Sequence, residues 1–222
     1  MTLPALGILG GTFDPIHFGH LRLALELSDA LELQRVRFIP TGNPPHRNSP
    51  QVSGTHRLDM VRIAIAGNPV FEADDREILR GGFSYSFDTL TELRDELGER
   101  PLCLLMGADA FAALATWHRW QELFDLAHVV IAHRPGFRLQ TLEAALPVPL
   151  RKIYLRRLAS GAPGMPLGNA GSILAREITA LDISATHIRA MLAQGSSPRY
   201  LVPDAVLEYI DRNHLYKDSD AR

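Results

Sequence analysis

The chain has 222 residues, of which 46% are hydrophobic and 22% are charged, proportions typical of a globular protein with a buried core. A net charge of −2 excludes a broad basic surface, so we expect no nucleic-acid partner and only local phosphate binding. The single cysteine, Cys103, excludes an intramolecular disulfide and a cysteine-rich metal site, and its apolar neighbours indicate a core residue. Neither a signal peptide nor a run long enough to span a bilayer is recognised, so we expect a cytoplasmic protein without a membrane partner.

Short apolar runs alternate with helical patterns along the chain. Strands are predicted at residues 5–9, 35–40, 102–106 and 127–132. Helices are predicted, from apolar residues at helical spacing, at residues 21–31, 56–66, 87–97, 184–193 and 203–213. This alternation predicts one α/β domain with a Rossmann-like, doubly wound and mostly parallel sheet that carries helices on both faces. Residues 137–171 are predicted as a peripheral insertion and residues 184–216 as a C-terminal helical part.

A strand-to-helix turn near the start carries two histidines. Residues 10–20 read Gly-Gly-Thr-Phe-Asp-Pro-Ile-His-Phe-Gly-His and follow the first predicted strand directly. Because His17 and His20 are three residues apart at the helix start, they can share one face. The positive end of the helix and the bare glycines Gly10 and Gly11 favour phosphate groups beside these imidazoles. The turn therefore predicts a site for a polyphosphate.

Other interpretations of this turn are weaker. No P-loop ending in Lys-Ser or Lys-Thr occurs, and the glycines lack the spacing of the dinucleotide fingerprint. Zinc would need ligands besides His17 and His20, which no nearby cysteine or His–Glu spacing supplies, so we predict no protein-held metal. Histidines that only cap a helix remain an alternative, which the glycines and the proline ahead of them disfavour.

A second stretch, residues 182–189, combines hydroxyls with an arginine at a predicted helix start. Ser184 is a natural N-cap, Thr186 lies in the first turn, and Arg189 is five residues beyond the cap. Free N–H groups, hydroxyls and a guanidinium together favour an anion. Taken alone, this stretch leaves open an ordinary capped helix with a surface arginine.

Together, His-x-Gly-His and Ile-Ser-x-Thr-x-Ile-Arg resemble the nucleotidyltransferase superfamily that is related to class I aminoacyl-tRNA synthetases. Further segments narrow the resemblance to the bacterial nicotinate-mononucleotide adenylyltransferases. They are Pro-Thr-Gly-Asn-Pro-Pro-His-Arg at 40–47, Gly-x-Asp and Trp-x-x-Trp within 107–120, His-Arg-Pro-Gly at 133–136 and Tyr-Leu-Val-Pro at 200–203. The resemblance runs from Leu6 to Tyr216. It departs at Thr41 and Gly42, since the family often has Asn directly after the proline that ends its second strand.

The resemblance implies transfer of AMP from ATP to the phosphate of nicotinate mononucleotide by direct in-line attack, giving deamido-NAD and pyrophosphate. Since the nucleophile is already an anionic phosphate, the protein must supply alignment and charge compensation rather than a general base. His17, His20 and Arg189 are the implied catalytic residues, with a protonated His20 at the reacting centre. Mg²⁺ carried by the ATP phosphates is the expected cofactor.

The resemblance also implies two sets of binding residues. ATP is expected at Gly10, Gly11, Thr12, Phe13, His17, His20, Gly107, Asp109, Ile183, Ser184, Thr186 and Arg189. The acceptor nucleotide is expected at Asn43, His46, Arg47, Tyr85, Ser86, Trp117 and Arg134. Trp117 can stack on a pyridine ring, although a core tryptophan is the alternative, and Asp109 either accepts from a ribose hydroxyl or caps a helix. Arg57 is interpreted as a surface helix residue and receives no role.

Two alternatives to this function remain. Another small adenylyltransferase is the nearer one, phosphopantetheine adenylyltransferase foremost, although that family usually has Thr where His17 stands and is shorter. A catalytically silent nucleotide-binding module belongs to a different class, and the completeness of both phosphate stretches disfavours it. No oligomeric state is assigned.

Overall fold

The computed structural model describes residues 3–44, 49–159, 166, 168–179 and 181–217, and every strand in that part of the chain belongs to one parallel sheet. The strands are β1 (Leu6–Gly11), β2 (Arg35–Pro40), β3 (Phe71–Ala73), β4 (Leu102–Gly107), β5 (His128–His133) and β6 (Ile173–Glu177). Their order in the sheet is β3-β2-β1-β4-β5-β6, which is the order of a doubly wound nucleotide-binding sheet. The predicted fold class is confirmed.

Helices cover both faces of this sheet. They are α1 (Phe18–Ala30), α2 (Gly54–Ile65), α3 (Arg76–Arg80), α4 (Ser86–Leu97), α5 (Ala108–Ala112), α6 (Leu123–Leu126), α7 (Leu139–Ala145), α8 (Val148–Arg157), α9 (Ala185–Ala193) and α10 (Asp204–Arg212). Neighbouring strand residues point to opposite faces. Leu105 therefore packs in one apolar cluster with α1, α2, α9 and α10, whereas Leu104 packs in the other with α4 to α8.

The sequence predicted four strands and five helices to within three residues, but it missed β3, β6 and the helices α3, α5, α6, α7 and α8. The described part of residues 137–171 forms α7 and α8, whose Leu142, Leu150 and Tyr154 are buried in the core. The assignment of a single domain stays a prediction. Cys103 is buried within the sheet, as expected.

No helix within the described ranges is both long and apolar enough to cross a membrane. The cytoplasmic location stays a prediction.

The sheet opens at the point where its strand order reverses. β1 and β4 pair from Leu6 opposite Leu102 to Ile8 opposite Leu104, and each strand then continues for three more residues. On its other side, β1 stays paired with β2 as far as Gly11 opposite Pro40. The carboxyl ends of β1 and β4 therefore diverge, which makes the crevice that binds ligands in open α/β sheets.

Candidate active site

A cleft of about 500 Å³ lies at the carboxyl end of β1. It joins the turn after β1, the loop before α2 and the start of α9, so the two motifs from opposite ends of the chain meet there. Nine of the twelve residues predicted to bind ATP line it: Gly10, Gly11, Thr12, Phe13, His17, His20, Ser184, Thr186 and Arg189. Gly107, Asp109 and Ile183 are outside that lining.

The two glycines that end β1 leave space for different groups, one for a side chain and the other for a ligand. A Cβ atom on Gly10 would meet no atom within 4 Å, so the space above this residue is open. A Cβ atom on Gly11 would lie 2.9 Å from the ring of Phe13. Phe13 is buried and has a left-handed backbone with φ of 49°. Gly11 thus admits the phenyl ring, whereas Gly10 leaves space for a ligand.

The two histidines at the start of α1 are held against each other. His17 is the N-cap residue of the helix and is only 6% exposed. Its backbone N–H donates to Nδ1 of His20 at 3.3 Å, and the two rings stack with centroids 3.8 Å apart. The ring of Phe13 meets His20 edge-on at 5.0 Å. The imidazoles therefore have a defined orientation in the cleft.

The two imidazoles are not a pair of cations in this structure. Burial lowers the pKa of His17 to about 4, so this ring is neutral near pH 7. Since Nδ1 of His20 accepts a hydrogen bond, the proton of that ring is on Nε2. Two stacked imidazolium rings would also repel each other. In this geometry the histidines contribute oriented N–H donors, and a protonated His20 stays a prediction for the enzyme with bound nucleotide.

Arg189, which comes from α9, supplies the permanent charge in the cleft. Its Nη1 donates to the backbone carbonyl of Asp14 at 2.7 Å, and its Nη2 donates to Oγ1 of Thr186 at 3.4 Å. Ser184 is the N-cap of α9, as predicted, but its hydroxyl makes no capping hydrogen bond. Ser184 and Thr186 are both exposed and line the cleft, and neither hydroxyl caps the helix.

Arg57 is a residue that the sequence interpretation got wrong. It is 1% exposed rather than on the surface, and burial lowers the pKa of its guanidinium. Nη1 donates to the carbonyl of Thr12 at 2.7 Å, and Nη2 donates to the carbonyl of Gly42 at 3.2 Å. Arg57 therefore ties the turn after β1 to the loop after β2. The signal was available: Arg57 shares one face of α2 with the buried Met60 and Val61.

Several residues predicted to bind the acceptor gather in a second region, outside the lining of the cleft. The N–H of Asn43 donates to Oγ of Ser84 at 3.2 Å, and its carbonyl accepts from the N–H of Ser84 at 2.9 Å. Tyr85 follows directly, and its ring lies 4.4 Å from that of His118. Trp117, which is partly buried against the core, is next to His118 in the chain. Asn43 and Tyr85 are thus held in one region through Ser84, Ser86 begins α4 there, and Trp117 is linked to it through His118.

Of the other three residues of that prediction, only Arg134 lies within the described part of the chain. Arg134 is exposed and forms an ion pair with Asp182 at 3.0 Å, beside the start of α9. His46 and Arg47 lie outside the described residues.

The fold and the pairing of these two motifs define the class of protein. The family model described as cytidylyltransferase-like matches residues 8–191, so the chain is a nucleotidyltransferase of that family. A probable nicotinate-nucleotide adenylyltransferase of Dechloromonas aromatica is 50% identical over 215 residues, which are 96% of this chain and 98% of the relative. Another, from Aeromonas hydrophila, is 46% identical over 98% of this chain and 99% of its own length. The chain therefore belongs to the nicotinate-nucleotide adenylyltransferases, and the predicted family and enzyme class are confirmed.

Solved structures share the fold. Nicotinic acid mononucleotide adenylyltransferase of Plasmodium falciparum, complexed with NaAD, matches with a TM-score of 0.73 over 96% of this chain and 97% of that one. The same enzyme complexed with APC matches with a TM-score of 0.70. Their sequence identities of 16% and 15% make this a likeness of fold.

Proposed function

We propose that the enzyme transfers AMP from ATP to the phosphate of nicotinate mononucleotide in NAD biosynthesis, forming deamido-NAD and pyrophosphate. A phosphate oxygen of the acceptor attacks the α-phosphorus in line, and the bond from that phosphorus to the oxygen bridging the β-phosphate breaks. The observation that carries this proposal is the single cleft in which the His17–His20 pair faces the Ser184–Arg189 segment. It concentrates N–H donors, hydroxyls and one guanidinium where phosphates must be aligned.

We assign different roles to the residues of the cleft. His20 presents its Nε2–H group to the α-phosphate, where negative charge is redistributed as the bond to the leaving group breaks. Arg189, with the hydroxyls of Ser184 and Thr186, holds the β- and γ-phosphates, which leave as pyrophosphate. His17 acts as a neutral residue that fixes His20 through stacking and the 3.3 Å hydrogen bond. The open space above Gly10 admits the nucleotide to the edge of the sheet.

The acceptor belongs in the neighbouring region formed by Asn43, Tyr85, Ser86 and Trp117. Aromatic rings there suit a pyridine ring, and the ring of Tyr85 already lies 4.4 Å from that of His118. Gly107, Asp109 and Ile183 keep their proposed contacts with ATP, Asp109 as an acceptor for a ribose hydroxyl. His46, Arg47 and Arg134 remain candidates for the charged groups of the acceptor.

A divalent cation, which we propose to be Mg²⁺, would come with the nucleotide. Mg²⁺ prefers oxygen ligands and keeps several waters, often binding through substrate phosphates. Among the described residues, no group of three His, Cys, Asp or Glu side chains could hold a metal ion. The buried carboxylate of Asp14 already accepts hydrogen bonds from the hydroxyl of Tyr216 and the N–H of Gln51. We therefore assign no protein side chain as its ligand.

The test is pyrophosphate release from ATP with one acceptor at a time. Nicotinate mononucleotide, nicotinamide mononucleotide and phosphopantetheine are offered separately, and a reaction without acceptor gives the background hydrolysis. We expect release with nicotinate mononucleotide and formation of deamido-NAD in equal amount. Release with phosphopantetheine alone would support the other adenylyltransferase. No release with any acceptor would support a silent nucleotide-binding module.

A further inference from the structure

A buried carboxylate, that of Asp14, lies among the residues that line the cleft. Asp14 is 5% exposed and follows Phe13 in the turn after β1. Its Oδ1 accepts a hydrogen bond from the Tyr216 hydroxyl at 2.7 Å, and its Oδ2 accepts one from the Gln51 N–H at 2.9 Å. Tyr216 is itself 8% exposed and lies beyond α10, 202 residues away in the chain. A residue from the segment after α10 thus contacts the turn that carries His17 and His20.

Arg189 lies close to this carboxylate but donates no hydrogen bond to it. Its Nη1 is 3.9 Å from Oδ2 of Asp14 and instead donates to the backbone carbonyl of the same residue at 2.7 Å. Tyr216 and Gln51 hold the carboxylate of Asp14 from both of its oxygens. They thereby fix the backbone carbonyl of the same residue, which accepts the hydrogen bond from Arg189. The guanidinium is tied to the turn by this bond while it lines the cleft.

We propose that Tyr216 is a positioning residue: through Asp14, it holds Arg189 in the orientation that receives the polyphosphate. Burial and the charge of Asp14 raise the pKa of Tyr216, so its hydroxyl stays a proton donor at physiological pH. The proposal rests on the proposed function only in naming ATP as the source of the polyphosphate. For any ligand with linked phosphates, the chemistry at Arg189 is the same.

Tyr216→Phe tests this role, because it removes the hydroxyl and keeps the ring in the core. We expect the KM for ATP to rise about fivefold, as for the loss of one hydrogen bond of ordinary strength, with the acceptor KM unchanged. Calorimetric titration with inorganic pyrophosphate should show the same weakening. Since this titration needs neither acceptor nor reaction, it tests the positioning of Arg189 even if the proposed acceptor is wrong.

A second experiment, in an Arg189→Met protein, separates positioning of Arg189 from a general effect on stability. If Tyr216 acts through Arg189, then Tyr216→Phe should cause no further loss of pyrophosphate affinity in an Arg189→Met protein. Tyr209→Phe is the matched control, because its hydroxyl also donates to an aspartate, Oδ2 of Asp59 at 3.0 Å, but away from the cleft. It should leave pyrophosphate affinity unchanged. Equal losses of affinity with and without Arg189, or unchanged affinity in Tyr216→Phe, would overturn the proposal.

Discussion

The turn side of the cleft (residues 10–20) contains buried side chains, whereas the hydroxyls on the helix side (residues 183–189) are open to solvent. On the turn side, Phe13 is 2% exposed and the pKa of His17 is lowered to about 4. On the helix side, Ser184 and Thr186 are exposed and Arg189 carries a permanent charge. Neutral, oriented donors thus stand where burial would make a charge costly, and the permanent charge stands where water can still reach it. The turn side of the cleft therefore serves to align the phosphates, and the helix side serves to compensate their charge.

The largest expected effect is the loss of an oriented donor from the turn side. His20→Ala removes the Nε2–H group that we assign to the α-phosphate. We expect kcat to fall about 100- to 1,000-fold, as when a preorganised donor to a transition state is deleted. Since His20 is only partly buried, the Tm should change little, which thermal unfolding would check.

His187→Ala is the matched control for that experiment. His187 is an exposed histidine in the first turn of α9 and does not line the cleft. Its removal should leave turnover as in the wild type. A folded His20→Ala protein with wild-type turnover would remove His20 from the proposed mechanism.

A smaller effect concerns the stability of the buried side in acid. The pKa of His17 is about 4 in the fold and 6.5 in the unfolded chain, so the unfolded state takes up the proton first as pH falls. The contribution of the neutral His17 to stability is therefore fully present above about pH 6.5 and is lost as pH falls towards 4. At pH 5 the loss from this group is about 2 kcal/mol. His17→Gln should lack it, as urea unfolding at pH 5 and 7.5 would reveal.

The comparison with the variant isolates His17 from the other titrating groups. His128 is also buried with a lowered pKa, but it is present in both proteins and cancels in the difference. If wild type and His17→Gln lost the same stability between pH 7.5 and 5, burial would not be what keeps the imidazole of His17 neutral.

The fold was predictable where the sequence pattern was strong. The run from Leu102 to Met106 is entirely apolar, and it forms the central strand β4, buried along its length. β3 has only three residues, all half-buried at the edge of the sheet, and so offers no periodicity. In β6 only Ile173 and Leu174 are fully buried, Ala175 is half-buried, and the charged Arg176 and Glu177 complete the strand. Edge strands are short and mixed in character, which is why they escaped prediction.

The candidate site, too, could be predicted from the sequence only where the pattern was strong. The two motifs could be found because each is contiguous: His17 with His20, and Ser184 with Arg189. The hydrogen bond between Asp14 and Tyr216 could not be found, because it joins residues 202 apart in the chain. Asp14 belongs to the first motif, but nothing in that motif points to Tyr216. Arg57 lies between these cases, since a charge on the apolar face of a helix indicates a buried partner but does not identify the carbonyl groups it meets.

The smallest expected effect distinguishes a structural from a ligand-binding hydroxyl on the helix side. Ser184 and Ser53 are both N-cap residues, but only Ser53 uses its hydroxyl, which accepts from the N–H of His56 at 3.3 Å. Ser53→Ala should cost about 1 kcal/mol of stability and leave the KM for ATP unchanged. Ser184→Ala should do the reverse, with little change in Tm and an ATP KM about threefold higher, because one neutral hydrogen bond to phosphate is lost. Should Ser184→Ala instead lower the Tm as Ser53→Ala does, with no change in KM, its hydroxyl serves the helix, and Arg189 with Thr186 must hold the phosphates on that side.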